Sequence, residues 1–111
     1  MQPNPFKDHI LETLQYIGGI RCGRFFRHWG LYYGDHFVGI IVNNKLYLRT
    51  NSLTRKAYEE LGMKSFRETD KTLRRFYQVP HEIVQNPSEL KQWTREAASI
   101  KYTVPDLHKD Y

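Results

Sequence analysis

Phe37-Val38-Gly39-Ile40-Ile41-Val42-Asn43-Asn44-Lys45-Leu46-Tyr47-Leu48-Arg49 is the stretch that decides the fold. Its first six residues are apolar on both alternating faces, the pattern of a central strand covered on two sides rather than an edge strand. Asn43-Asn44 is a turn pair, since asparagine tolerates left-handed backbone. After it Lys45 to Arg49 alternates, with Leu46 and Leu48 expected inward and Lys45, Tyr47 and Arg49 outward. The stretch therefore predicts antiparallel pairing, with one sheet face carrying basic and aromatic side chains.

Upstream, Ile20 to Thr50 is aromatic and β-branched, broken by Trp29-Gly30, Gly34-Asp35 and Asn43-Asn44. Three antiparallel strands are expected, near 20–27, 29–33 continuing to 36–42, and 45–50. Before them, Asn4 followed by Pro5 is a helix start, Phe6, Ile10, Leu14 and Ile17 recur at helical steps, and Gly18-Gly19 is a helix stop. Downstream, Asn51 or Ser52 can cap a helix with Leu53, Ala57 and Leu61 on one side and Gly62 at its end. Residues 65–79 predict a second hairpin, turning around Asp70-Lys71, with a strand from Leu73 to Val79 that Pro80 stops. Asn86-Pro87-Ser88-Glu89 starts a last helix, whose stripe of Leu90, Trp93, Ala97 and Ile100 packs on the sheet.

The order is helix, three strands, helix, two strands, helix: a two-layer α+β domain over residues 1–103, with residues 104–111 as a C-terminal tail. A chain of 111 residues has room for one core. Its hydrophobic residues at 40% and charged residues at 26% are the balance of a folded protein rather than a disordered one. No run approaches the roughly 20 apolar residues of a membrane helix. Met1-Gln2-Pro3-Asn4-Pro5 does not read as a secretion signal, and Cys22 is the only cysteine, so a cytoplasmic, reducing location is expected.

Catalysis would need a nucleophile with a base, paired carboxylates or a metal cluster. Cys22 and His28 are the tempting thiol and imidazole, six residues apart across a strand and turn, although a strand cysteine is more often a small hydrophobe. His9, His36, His81 and His108 lack metal-ligand spacing, and no cofactor or metal is called for. Gly18-Gly19-Ile20-Arg21-Cys22-Gly23 runs from helix into strand, the reverse of a phosphate loop. Neither arrangement supports an enzyme.

What remains is binding. The formal net charge is +5, from 17 Lys+Arg against 12 Asp+Glu, which attracts polyanions at low salt. Phe25, Phe26, Trp29, Tyr32, Tyr33 and Phe37 read as core or dimer surface ahead of a platform for nucleobases. Arg21, Arg24, Arg27, Lys45, Arg49, Arg74 and Arg75 read equally as a solvated sheet face or as a partner surface. The residues nominated for partner binding are Arg24, Arg27, Trp29, Tyr32, Tyr47, Arg49, Arg74 and Arg75. Direct nucleic-acid binding through the same basic and aromatic residues is the alternative, weak and non-specific because the charges do not line one groove-sized helix.

Filled by these residues, the element order resembles the N-terminal domain of the TfoX competence regulators. The resemblance rests on Arg24-Phe25-Phe26 followed by Trp29-Gly30-Leu31-Tyr32, on Leu46-Tyr47-Leu48-Arg49, and on Glu60-Leu61-Gly62-Met63 with Phe66. Phe76-Tyr77-Gln78-Val79-Pro80 and Pro87-Ser88-Glu89-Leu90 with Trp93 and Ala97 complete it. It implies a bacterial protein with a fold like the secretion chaperones, pairing into a homodimer, and a protein partner in transcription control during competence. The exposed aromatics around Trp29 to Tyr33 point to the same pairing. Where the family has a Phe-Gly pair in its first turn, this chain has Phe26-Arg27-His28, and neither arginine nor histidine adopts a positive φ cheaply. Full-length TfoX regulators carry a second domain after this one, so the chain is expected to be a stand-alone relative or a truncated one.

Overall fold

The computed structural model describes residues 4–66 and 73–100. The first helix, α1 (Pro5–Leu14), starts as expected: the Asn4 side-chain oxygen accepts from the Lys7 amide at 3.0 Å. It ends three residues before the expected stop. The Ile17 amide still donates to the Leu14 carbonyl, so a turn beyond the helix carries Ile17 into the core.

The run Ile20 to Arg49 forms β1 (Ile20–Phe25), β2 (His28–Tyr33), β3 (His36–Val42) and β4 (Lys45–Arg49). The expected long second strand is itself a hairpin, because the chain reverses at Gly34-Asp35 and Tyr33 pairs with His36. Gly34 supplies the positive φ that a tight reversal requires. With β5 (Phe76–Gln78) these make a five-stranded antiparallel sheet in the order β1-β2-β3-β4-β5. The α+β class is as expected, and the central strand is β3.

Both faces of β3 are covered. On one face Leu31, Val38, Ile41, Leu46 and Leu48 pack with Ile10, Leu14, Leu90 and Ala97 from the helices. On the other, Ile40, Tyr47 and Phe76 form a smaller cluster flanked by Phe25, Phe37, Val42, Phe66 and Leu73. Tyr47, expected outward, is therefore buried, with its ring edge-on to Phe66 at 5.0 Å. The alternation was right, but the outward face has its own aromatic cover. Gly39 sits fully inside the central strand, where an added Cβ would lie 3.1 Å from the Tyr47 carbonyl oxygen and 3.2 Å from Leu31 Cδ1.

Asn51, not Ser52, caps α2 (Thr54–Glu60), accepting from the amides of Leu53 and Thr54 at 2.9 Å. The expected stripe faces the wrong way: Leu53 is 74% and Leu61 54% exposed, while Tyr58 is 3% exposed. In a two-turn helix the larger aromatic area decides which side is buried. Residues 73–75 form a 3₁₀ turn and only Phe76–Gln78 joins the ladder, so the last strand is shorter than expected. Its outer edge is met by Lys64 to Phe66, through a Ser65–Tyr77 bridge and the bonds Phe66 N–H to Phe76 O and Gln78 N–H to Lys64 O. The turn expected around Asp70-Lys71 and the tail over 104–111 lie outside the described residues.

A short α3 (His81–Val84), which the periodicity did not announce, follows Pro80. The last helix, α4 (Pro87–Ser99), is capped by Asn86 and buries Leu90, Thr94 and Ala97. The Thr94 hydroxyl satisfies itself by donating to the Leu90 carbonyl at 2.8 Å. Trp93 is partly buried, edge-on to Tyr58 at 4.7 Å. Among the described residues no helix is long and apolar enough to cross a membrane.

Candidate partner-binding surface

The two strands at the open end of the sheet carry the most unusual surface. β1 and β2 are joined by the two-residue turn Phe26-Arg27, with Phe25 opposite His28. Phe26 takes φ +54°, a region that costs a bulky side chain about 1–2 kcal/mol. The expected departure from a glycine turn falls beside it: Arg27 and His28 take no positive φ, and Phe26 takes it instead. The Phe26 ring is 84% exposed and meets the Phe25 ring edge-on at 4.9 Å.

Behind this tip the aromatics are linked on the face away from the helices. Phe25 lies 4.8 Å from Phe37, Phe37 lies 5.0 Å from Phe76, and Tyr32 stacks on Phe37 at 5.3 Å. Gly30 makes room for them, since a Cβ there would stand 3.0 Å from both the Phe37 ring and the Tyr32 hydroxyl. The Arg21 guanidinium sits 4.9 Å from the Tyr32 ring centroid and donates to the Gly34 carbonyl at 3.3 Å. On the helix-side face Trp29 receives two cations, Lys7 at 4.0 Å and Arg24 at 4.8 Å from its ring centroid. Such contacts fix long basic side chains whose heads would otherwise sample many positions.

The nominated residues do not form one patch. Arg24, Arg27, Trp29 and Tyr32 come together on the β1–β2 hairpin, with Arg24 and Arg27 exposed and the two aromatics half-buried. Tyr47 is interior. Arg49, Arg74 and Arg75 lie on the far side of the sheet around β4 and β5, all half-buried, and the Thr50 amide and hydroxyl both donate to the Arg75 carbonyl at 2.8 Å. The nominated set left out Phe26 and Arg21, which the sequence offered only as core or dimer surface and as part of a basic sheet face, and Lys7, which it did not single out. For Phe26 a signal existed: a residue at the tip of a two-residue hairpin turn has no cross-strand partner to cover it. Lys7 reaches Trp29 only through the packing of α1.

Register also settles the thiol and imidazole. Cys22 is opposite Leu31 on the helix-side face, whereas His28 is opposite Phe25 on the other face, so they do not meet. Burial pushes the Cys22 thiol up, with Lys7 opposing it more weakly, which is contrary to what a thiolate nucleophile requires. His9 Nε2 lies 3.3 Å from the Val84 carbonyl, a packing contact. Among the described residues no three of His, Cys, Asp and Glu are grouped to hold a metal ion. Gly19, at φ +96°, belongs to the helix-to-strand turn.

Fold and surface together define a small antiparallel α+β domain whose distinctive feature is an aromatic, cationic hairpin at one sheet edge. The family model for the TfoX N-terminal domain matches residues 12–100, and the chain belongs to that family. No curated protein matches the chain.

Proposed function

We propose that the protein is a regulatory adaptor domain, linked to competence or transcription control, that acts by binding a protein partner and by pairing with a second copy rather than by catalysis. The observation that carries this reading is Phe26. A large aromatic on left-handed backbone costs stability through the backbone angle, and the edge-on contact with Phe25 still leaves the ring 84% exposed, so most of its apolar area goes unused among the described residues. A partner that covers the ring would use it. Aromatic and arginine side chains are the types that concentrate binding energy at interfaces, and Arg27 and Arg24 flank this one.

The test is a cell lacking the native gene, complemented with the wild-type chain or with Phe26→Gly. The variant is expected to fold normally and to lose regulated gene expression and partner recovery together. Full regulation by Phe26→Gly would overturn the reading. So would nanomolar binding of the purified chain to one defined DNA sequence over scrambled DNA at about 150 mM salt, far above what phosphate contacts alone provide.

A further inference from the structure

Among the described residues one edge of the sheet is closed and the other is open. Lys64 to Phe66 meets β5, but among the described residues no strand pairs with the outer side of β1. Backbone direction along β1 follows from two hydrogen bonds. The Gly34 amide donates to the Gly19 carbonyl, so Gly19 faces β2, and the Ile20 amide donates to the Ile17 carbonyl, away from β2. The β1–β2 register runs without a shift from Ile20 to Phe25. Facing therefore alternates, and Cys22 and Arg24 direct their N–H and C=O groups outward.

Charge says what this edge would accept. Arg21 and Arg24 are exposed on β1 and Arg27 on the adjoining turn, while neither β1 nor that turn carries an acidic residue. A second copy would bring the same arginines against these, and charged side chains on an edge deter such self-pairing. An acidic strand meets the opposite situation. Arg21 lies on the face of Tyr32 and Arg24 on the face of Trp29, each already held over an aromatic ring. An added strand would thus find one cation on each of its faces, at positions three residues apart.

We infer that β1 is a docking edge for an extended acidic segment of a partner protein, added as a sixth strand, with acidic residues three apart meeting Arg21 and Arg24. The inference rests on the adaptor reading and names its partner's chemistry. Main-chain hydrogen bonds to Cys22 and Arg24 supply register, and the cations select the sequence.

The probe is the capped peptide Thr-Glu-Val-Thr-Glu-Val-Thr, titrated into the ¹⁵N-labelled full chain. Its controls are the same peptide with lysine for glutamate and the same peptide N-methylated at the central residue. The glutamate peptide is expected to shift the amides of residues 20–25, to slow hydrogen exchange at Cys22 and Arg24, and to bind more weakly as salt rises. Both controls should bind at least about tenfold more weakly, and so should Arg24→Glu combined with Arg27→Glu. Arg24→Pro removes an outward N–H without touching the β1–β2 ladder and should also lose binding. Since the N-methylated peptide leaves the protein unaltered, a folding defect in either variant does not decide the outcome.

Equal binding of glutamate and lysine peptides, or shifts centred away from β1, overturns the inference. So does protection of the Cys22 and Arg24 amides in a peptide-free dimer, which would give the edge to a second copy. The adaptor reading has a separate fate. If Phe26→Gly abolishes regulation in cells while Arg24→Glu with Arg27→Glu retains it, the adaptor stands and the edge falls. If one defined DNA displaces the peptide with nanomolar affinity, the adaptor reading falls as well.

Discussion

A phenylalanine at φ +54° is a position where stability and function are expected to pull apart. Phe26→Gly removes the clash of Cβ with its own backbone but frees the unfolded chain, so the net gain should be about 0.5–1 kcal/mol, read as a raised midpoint in urea. An unchanged or lowered midpoint would mean that the ring contact with Phe25 outweighs the strain. Tyr58 makes the opposite kind of statement. Burial, with Glu96 adding to it, pushes its hydroxyl far above the usual tyrosine range. Because the folded state holds the proton more tightly, stability is intact below the unfolded tyrosine value near about 10 and falls as pH rises beyond it. Tyr58→Phe should flatten that alkaline loss in denaturation series run at pH 8 and pH 11. Both residues show the limit of sequence at this scale. The turn at 26–27 was legible as a departure from glycine, yet that Phe26 rather than Arg27 or His28 would take the positive angle was not, since backbone strain has no signature in composition.

Elements were legible where caps and long periods agreed. Asn4-Pro5 and Asn86-Pro87 start their helices as read, and each asparagine side chain accepts a backbone N–H. Legibility failed where an element was short. In α2 the leucine spacing pointed outward because one buried tyrosine outweighs two leucines that flank a helix of seven residues. In the run 29–42, strand propensity on both sides concealed a reversal that only Gly34-Asp35 marked. The docking of α4 provides the check. Trp93→Ala should cost about 3 kcal/mol, the low end for a large aromatic, because the ring is only partly buried although it meets Tyr58 at 4.7 Å. Leu53→Ser, on the exposed side of α2, should stay within about 0.5 kcal/mol of wild type. Equal losses for the two in chemical denaturation would show that the faces of α2 and α4 have been assigned wrongly.

For the molecule as a whole, the sheet class could be read from 37–49, but the partner-facing surface could not, because the nominated arginines and aromatics divide between two ends and two faces of the sheet. The same redistribution changes the ground for pairing. Within the aromatic run once expected to need cover, Leu31 is buried, Trp29 and Tyr32 are half-buried beneath cations of their own chain, and Tyr33 stays 40% exposed. Another apolar side is open on α2, where Leu53, Ala57 and Leu61 are exposed. Arg55 and Lys56 lie toward its start and Glu59 and Glu60 at its end, so a two-fold axis through Ala57 would set basic against acidic turns and leucine against leucine. The Arg55–Glu59 ion pair within the chain, at 3.7 Å with the arginine 28% and the glutamate 52% exposed, is a single partly open pair and worth too little to prevent this. So short a helix covers well under the roughly 800 Å² per partner of a standard interface, and the pair should dissociate on dilution. We therefore expect light scattering at tens of micromolar to approach twice the 13.3 kDa chain mass, and Leu53→Ser with Leu61→Ser to return it to one. Arg55→Glu with Lys56→Glu in one chain, and Glu59→Lys with Glu60→Lys in another, should each be monomeric alone and pair when mixed. A monomer at every concentration would remove the pairing, and a dimer indifferent to all of these changes would move it off α2.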